Sequence, residues 1–198
     1  MNKVNYNKLM LEEILKNNGE KKKLLLHSCC APCSTACIER LKEHFDLTIY
    51  YYNPNIDTFE EFTHRANEQI KYCEKVGVGC VVEDYDKQAF LSASKGKEKE
   101  KEGGARCKEC FNLRLSKTAK KAKEENFDYF ATTLTVSPLK NACLINEIGK
   151  QLENEFSVKY LPTDFKKDNG YLRSITLSKE NNLYRQNYCG CEFSKQRQ

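Results

Sequence analysis

The sequence lacks the features that mark several common classes of protein. No apolar run approaches the roughly 18 residues of a transmembrane helix, so we expect no membrane association. Residues 1–20 are polar and amphipathic and contain no apolar signal-peptide core, which predicts a cytoplasmic protein. Neither the phosphate-binding pattern G-x-x-x-x-G-K-[S/T] nor the dinucleotide-binding pattern G-x-G-x-x-G occurs. We therefore expect no use of ATP.

The cysteine content is high, and it fits a disulfide framework poorly. Eleven of the 198 residues are cysteine, and an odd count leaves at least one thiol without a partner. In a reducing cytoplasm, clustered cysteines bind metal or carry out redox chemistry more often than they form structural disulfides. The length suits one domain with a substantial core, so we predict a single domain over residues 1–198.

Seven of the eleven cysteines fall into three short clusters. These are His27-Ser-Cys-Cys-Ala-Pro-Cys33, Cys107-Lys-Glu-Cys110 and Cys189-Gly-Cys191. The adjacent Cys29 and Cys30 suit an iron–sulfur cluster, in which neighbouring thiolates can bind different irons, better than one tetrahedral zinc ion. With Cys107 and Cys110, they form a candidate set of four thiolates.

The other cysteines leave alternatives open. Cys33 is a candidate ligand of a second metal, a redox-active thiol or a small buried side chain. Cys189 and Cys191, separated by one glycine, can form a strained and easily reduced disulfide or bind metal, and we favour the redox pair. Three cysteines outside the clusters are predicted to pack in the core: Cys73, Cys80 and Cys143.

Apolar runs alternate with helical patterns as far as residue 160. The runs predict strands at 24–27, 47–52, 80–82 and 129–133, with amphipathic helices between them. This order predicts an α/β fold with a Rossmann-like parallel sheet covered by helices on both faces. Ligands of such sheets bind at the carboxyl ends of the strands, where the first cysteine cluster lies. A helix beginning near Ser34 would lower the pKa values of the nearby thiols.

Two segments are rich in charge. Residues 94–104 are charged and end in glycine, and we predict a mobile surface loop that does not pack. Residues 162–198 are irregular except for a helix expected at 170–182, and they hold seven Lys or Arg against four Asp or Glu, interleaved with aromatic residues. Cations mixed with aromatics suit RNA, but a solvated surface with the aromatics turned inward explains this composition at least as well.

Ordered motifs run through nearly the whole chain, at 27–33, 53–56, 61–65, 106–114, 132–140, 164–167, 170–174 and 183–191. In this combination, the chain resembles the epoxyqueuosine reductases of the QueH type. The resemblance implies a Rossmann-like sheet related to that of adenine nucleotide α-hydrolases, with metal in place of nucleotide. It also implies an iron–sulfur oxidoreductase that removes the epoxide oxygen of epoxyqueuosine in the anticodon loop of tRNA. This two-electron reduction gives queuosine.

The resemblance also implies roles for the cysteines. Four of them would hold a [4Fe–4S] cluster: Cys29, Cys30, Cys107 and Cys110. Cys189 and Cys191 would form a redox-active pair within the C-terminal segment 162–198, which we expect to complete the active site. Such a cluster ordinarily moves one electron at a time, so the second electron needs a store. The dithiol and a second iron near Cys33 are the two candidates.

The reaction further needs protons, an electron donor of unknown identity and a way to hold RNA. Asp164, Tyr188 and His27 are candidate proton donors because they lie in the motifs. The modified base must leave the anticodon stack to reach a metal site. We predict six contacts to RNA: Lys166, Lys167, Tyr171, Arg173, Arg185 and Tyr188.

Two rival interpretations come from other functional classes. One is a zinc-stabilised RNA-binding module without catalysis. The other is a thiol–disulfide oxidoreductase, whose usual mark of two cysteines opening a helix after a strand is approximated by Cys30-Ala-Pro-Cys33. The second rival leaves Cys107 and Cys110 unexplained.

Overall fold

The sheet of the computed structural model, which describes residues 4–195, has five parallel strands. They are β1 (Lys22–His27), β2 (Phe45–Tyr51), β3 (Gly79–Val82), β4 (Tyr129–Thr132) and β5 (Lys159–Tyr160). Their order in the sheet is β3-β2-β1-β4-β5, so β1 is central and the chain adds strands first to one side of it and then to the other. The predicted α/β sheet is confirmed. Only β5 was missed, because two residues are too few to show an apolar pattern.

Within residues 4–195, eight α-helices and one short 3-10 helix accompany the strands. They are α1 (Tyr6–Lys16), α2 (Ala31–Leu41), α3 (Phe59–Val76), α4 (Lys87–Ser94), α5 (Ala105–Glu124), the 3-10 helix (Thr133–Val136), α6 (Ala142–Phe156), α7 (Gly170–Glu180) and α8 (Glu192–Lys195). The sequence patterns predicted α2, α3, α5, α6 and α7. None of the helices in this part of the chain combines the length and the apolarity needed to cross a membrane.

The core lies on both faces of β1, which explains why this strand reads as a continuous apolar run. Successive strand side chains point to opposite faces. Leu24 and Leu26 pack on the face covered by α2 and α3, while Leu25 packs on the face covered by α5 and α6. All three are fully buried, and burial of each such side chain contributes roughly 1.5–3 kcal/mol. The end of β1 is therefore a firmly held platform for the residues that follow.

Helix α2 begins earlier than the sequence predicted. It starts at Ala31, with Cys30 in the capping position and Pro32 in the first turn, rather than near Ser34. Proline fits the first turn because its missing N–H has no partner there anyway. As a consequence, Cys33 lies inside the first turn of the helix and close to the end of β1.

The segment predicted to be a loop without packing contacts is held down by one side chain. Residues 95–104 form turns after α4. The buried guanidinium of Arg106 donates hydrogen bonds to three carbonyl oxygens of this segment, those of Lys97, Glu98 and Glu100. It also lies 4.5 Å from the ring centre of Phe193. The expectation that this segment does not pack was wrong, because its backbone supplies the acceptors.

The cysteines outside the clusters only partly behave as predicted. Cys73 is buried and Cys80 packs against the same part of the core. Cys143 is exposed, which contradicts the prediction of core packing. Its thiol lies on the outer face of α6 and donates to Glu147 one turn later, at 3.2 Å.

Candidate metal and redox centre

The first sulfur group lies where β1 ends and α2 begins. The Sγ atoms of Cys29 and Cys30 are 3.8 Å apart, and those of Cys29, Cys30 and Cys33 all lie within 4.8 Å of one another. Thiolates around one tetrahedral ion are separated by about 3.8 Å, given metal–sulfur bonds of about 2.3 Å. The spacing therefore suits a single ion well, against our argument from the sequence that adjacent cysteines favour a cluster. Cys33, which the sequence left open, belongs to this group.

The second sulfur group combines the other two cysteine clusters. Cys107 and Cys110, at the start of α5, line a cavity of about 30 Å³ together with Cys189 and Cys191. The Sγ atoms of Cys189 and Cys191 are 3.5 Å apart, and both thiols are free. Gly190 between them has a φ of 103°, a left-handed conformation that bends the chain and brings the two sulfurs together.

A larger cavity of about 330 Å³ adjoins the smaller one. It is lined by the first sulfur group and by Cys189, so Cys189 belongs to the walls of both cavities. Arg114 and Lys140 also line both. All seven clustered cysteines thus meet at the carboxyl end of the sheet, as expected for a ligand site in a parallel α/β fold.

Arg114 joins the helix of the second sulfur group to the strand of the first. It lies on α5 one turn after Cys110, and it is buried with 3% of its surface exposed. Its guanidinium donates to Nε2 of His27 at 3.2 Å and to Oδ1 of Asn53 at 2.5 Å. Asn53 in turn donates to the carbonyl oxygen of Ser28 at 2.9 Å, next to Cys29.

A second set of buried hydrogen bonds holds the same turn from the side of α3. The hydroxyl of Ser28 donates to Oε1 of Gln69 at 2.7 Å, and Nε2 of Gln69 donates to the hydroxyl of Ser34 at 3.1 Å. Sequence reasoning assigned no role to Asn53, Gln69 or Arg114. Asn53 and Arg114 lie within the motifs at 53–56 and 106–114, which could have indicated a role for them. No pattern in the sequence pointed to Gln69.

The pKa values of the thiols follow from sulfur–sulfur contacts more than from the helix end. Hydrogen bonds from Cys30 and Cys33 lower the pKa of Cys29. The donors show the opposite effect, and the pKa of Cys33 is raised to about 12. The pKa of Cys189 is likewise lowered, first by its hydrogen bond with Cys191. Each sulfur group therefore favours one thiolate that accepts hydrogen bonds from neutral thiols. The prediction that the start of the helix lowers the pKa values of all the nearby thiols was wrong.

The structure separates the three candidate proton donors. His27 is fully buried, and burial followed by the charge of Arg114 lowers its pKa to about 3, so its ring is neutral and structural. Asp164 lines neither cavity in the described part of the chain, and its Oδ1 pairs with Nζ of Lys166 at 2.7 Å. Tyr188 lines the larger cavity, and burial raises its pKa, so its hydroxyl keeps its proton at neutral pH.

The predicted RNA contacts divide into two sets. Tyr171, Arg185 and Tyr188 line the larger cavity, where the Arg185 guanidinium lies 5.5 Å from the ring centre of Tyr171. The remaining three lie away from both cavities. Lys166 is paired with Asp164, Lys167 is exposed, and Arg173 is bound by both carboxylate oxygens of Glu39, at 2.7 and 3.0 Å. A cation already neutralised in this way is a poor phosphate contact.

The geometry does not favour a thiol–disulfide oxidoreductase acting through Cys30 and Cys33. The attacking cysteine of such enzymes needs an accessible thiolate. Cys30 is buried with 3% of its surface exposed, and its pKa is raised by the contacts with Cys29 and Cys33.

Comparison with known proteins identifies the family. A family model described as "Epoxyqueuosine reductase QueH" matches residues 24–197. The chain belongs to the QueH family. It is 44% identical over 206 residues to the epoxyqueuosine reductase QueH of Staphylococcus epidermidis, with 99% of this chain and 87% of the relative covered. For the QueH protein of Streptococcus pyogenes, the identity is 41% over 204 residues, with 99% and 80% covered.

The fold of this QueH-family chain is similar to that of a solved iron–sulfur protein. That protein is the U34-tRNA thiolase NcsA from Methanococcus maripaludis with its [4Fe–4S] cluster. The TM-score is 0.57 at 16% identity, and the match covers 94% of this chain and 69% of the thiolase. At this level of identity, the likeness establishes a common α/β fold.

Proposed function

We propose that this QueH-family chain is an epoxyqueuosine reductase that acts on tRNA in the cytoplasm. It removes the epoxide oxygen of epoxyqueuosine in the anticodon loop and leaves the alkene of queuosine. The observation that carries this proposal is the meeting of three distant cysteine clusters around two adjoining cavities, in a chain 44% identical to a protein of that name. Free thiols at the site also suit a reducing compartment.

The conversion of an epoxide to an alkene consumes two electrons and two protons and releases one water molecule. The oxidation of a dithiol to a disulfide releases two electrons and two protons. Cys189 and Cys191 match this demand, because their sulfurs are 3.5 Å apart and face the cavities. An external electron donor then returns the disulfide to the dithiol.

We propose that Cys29, Cys30, Cys107 and Cys110 hold a [4Fe–4S] cluster, which when bound supplies electrons singly to the site. Iron–sulfur clusters are bound mainly by thiolates. Seven cysteines line the two cavities. Among the described residues that line them, the exposed Glu102 is the one acidic side chain. Cys33 is the candidate ligand of a second iron. The thiols are donors of the kind that iron–sulfur clusters take. The 3.8 Å between the Sγ atoms of Cys29 and Cys30 is, however, the spacing of two thiolates on one ion, so binding of the cluster requires these two side chains to move apart.

We propose that the larger cavity receives the modified base. Tyr171 and Tyr188 offer aromatic faces on which an unstacked base can lie, and Arg185 offers a charge to the adjoining phosphate. The phenol of Tyr188 is the proton donor that the geometry supports best among the three candidates. These contacts belong to the C-terminal segment 162–198, of which residues 196–198 lie outside the described range.

Iron, sulfide and zinc analysis of anaerobically prepared protein, with EPR spectra after reduction, tests the metal assignment. We expect about four iron and four sulfide per chain for one cluster, and about one further iron where Cys33 holds a second metal. The double variant Cys107→Ser/Cys110→Ser should lose them, while the exposed Cys143→Ser should keep them. Colourless protein with stoichiometric zinc would instead favour the RNA-binding module.

A single-turnover assay tests the role of the redox pair. The double variant Cys189→Ser/Cys191→Ser is reduced chemically and mixed with tRNA that carries epoxyqueuosine. We expect the product to fall well below the wild-type amount, because the dithiol that supplies the two electrons is gone. An undiminished single turnover would remove the dithiol from the chemistry and direct attention to an iron near Cys33.

A further inference from the structure

Two cations without acidic partners, Arg114 and Lys140, line both cavities. Arg114 donates hydrogen bonds to His27 and Asn53, which are neutral, and within residues 4–195 neither Arg114 nor Lys140 forms an ion pair with a carboxylate. The buried Arg65, which lines the larger cavity, is by contrast paired with Glu61. Glu102 is the acidic residue that lines both cavities, and it is exposed, so solvent screens its charge.

The buried positive charge of Arg114 is unfavourable unless negative charge lies beside it, and Lys140 is half-buried. Thiolates are the available source. Arg114 lies one turn after Cys110 on α5, and both Arg114 and Lys140 line the two cavities together with sulfurs of both groups. The two cations are therefore placed to act on those sulfurs.

We infer that Arg114 and Lys140 are positioning residues that stabilise the reduced form of a thiolate-bound iron–sulfur cluster. This inference rests on the cluster assignment made under the proposed function. A four-thiolate [4Fe–4S] cluster is a dianion that becomes a trianion when it accepts one electron. A nearby buried cation stabilises the trianion more than the dianion, and so raises the reduction potential of the cluster. The cations thus make the cluster easier to reduce by a cellular donor.

Arg114 and Lys140 differ in how firmly the structure holds their charges. Arg114 is fixed by its bonds to His27 and Asn53, so its charge cannot move away from Cys110. Lys140 lies in the turn that follows the 3-10 helix, and the structure gives its ammonium no hydrogen-bond acceptor within residues 4–195. Substitution of Lys140 therefore removes a positive charge with little loss of hydrogen bonding within the protein.

An EPR-monitored redox titration of the reconstituted holoprotein tests the inference. We expect Lys140→Gln to shift the midpoint potential of the cluster to more negative values, with iron and sulfide content unchanged. Lys140→Arg should keep the wild-type potential because it keeps the charge. Arg114→Gln should also shift the potential negatively, and the double variant should shift it further than either single one. Lys117→Gln, which removes an exposed cation from the same helix, is the matched control and should cause no shift.

The outcomes separate this inference from the proposed function. An active wild-type protein whose potential is unchanged in Lys140→Gln and Arg114→Gln overturns the inference alone. Wild-type protein that holds no cluster overturns both. If Lys140→Gln fails to hold the cluster, recovery in Lys140→Arg supports the countercharge, whereas equal loss in Lys140→Arg contradicts it.

Discussion

The first sulfur group and the Cys189/Cys191 pair of the second group rest on different kinds of structure. Cys29, Cys30 and Cys33 follow a central strand, and hydrogen bonds from Asn53 and Ser28 fix the turn that carries them. Cys189 and Cys191 lie in the irregular segment between α7 and α8, which is held by the hydrogen bond from the Asp57 N–H to the Gly190 carbonyl and by a longer contact from Asn55 to the Cys189 carbonyl.

This difference suits two kinds of chemistry. A metal ligand works best when neighbouring groups fix its position. A thiol pair that cycles through a disulfide must change its sulfur separation, from 3.5 Å here to about 2.05 Å when bonded. The turn that carries Cys29, Cys30 and Cys33, where we propose metal binding, is thus held more firmly than the segment that carries Cys189 and Cys191, where we propose that a disulfide forms and breaks.

Removal of one sulfur from the first group and of one from the Cys189/Cys191 pair should give the largest contrast. We expect Cys30→Ser to lower iron content and to reduce turnover by about 100-fold or more, because a ligand is lost. Cys191→Ser should keep iron content while turnover falls. Metal analysis and multiple-turnover assays on the same preparations measure both effects. Iron loss in Cys191→Ser, with retention in Cys30→Ser, would reverse the comparison.

The paired variants Asn53→Ala and Asn55→Ala compare the supports of the two groups. Asn53→Ala leaves Arg114 without one acceptor and the Ser28 carbonyl without its donor. We expect it to lower the free energy of unfolding by about 1–3 kcal/mol and the metal affinity by roughly 10-fold or more. Asn55→Ala loses only the 3.5 Å contact to Cys189 and should change both far less. Urea unfolding and competition with a chelator give the two values.

His27, beneath the first sulfur group, should make stability depend on pH. Its pKa falls from 6.5 to about 3 on folding, so the unfolded chain binds the extra proton between these values. The stabilisation from the neutral ring is complete above about pH 6.5 and is lost as the pH falls, by about 2 kcal/mol between about pH 7 and pH 5.

Urea unfolding at several pH values tests this dependence. His27→Asn should flatten the loss of stability toward acid, whereas His44→Asn, which changes an exposed histidine, should leave it in place. An unaltered slope in His27→Asn would contradict the assignment.

The smallest effect should come from cations in the C-terminal segment. Arg185→Gln removes a charge that lines the larger cavity, so tRNA binding should weaken a few-fold and the salt slope should fall by about one. Lys167→Gln removes an exposed charge outside both cavities and should change the slope less. Filter binding at several salt concentrations compares them. Equal slopes for the two variants would move the RNA surface away from the cavity.

The fold and the position of the cysteine clusters at one end of the sheet could be predicted from the sequence, because both depend on local patterns. The run Leu24–Leu26 is apolar on both faces of the sheet, and cysteine spacing is visible directly. The electrostatic partners depend on contacts between distant residues. Arg173 read as a free cation because its partner, Glu39, lies 134 residues away along the chain. The roles of Arg114 and Lys140 are hidden for the same reason.

The hydrogen bonds of Arg106 bear on which amino acids residues 95–104 can contain. Its three acceptors at residues 97, 98 and 100 are main-chain oxygens, which every amino acid provides. These three hydrogen bonds therefore constrain the path of the chain without requiring particular side chains at the acceptor positions. A composition typical of a disordered linker can in this way occur beside the cysteine-lined cavity without loss of order.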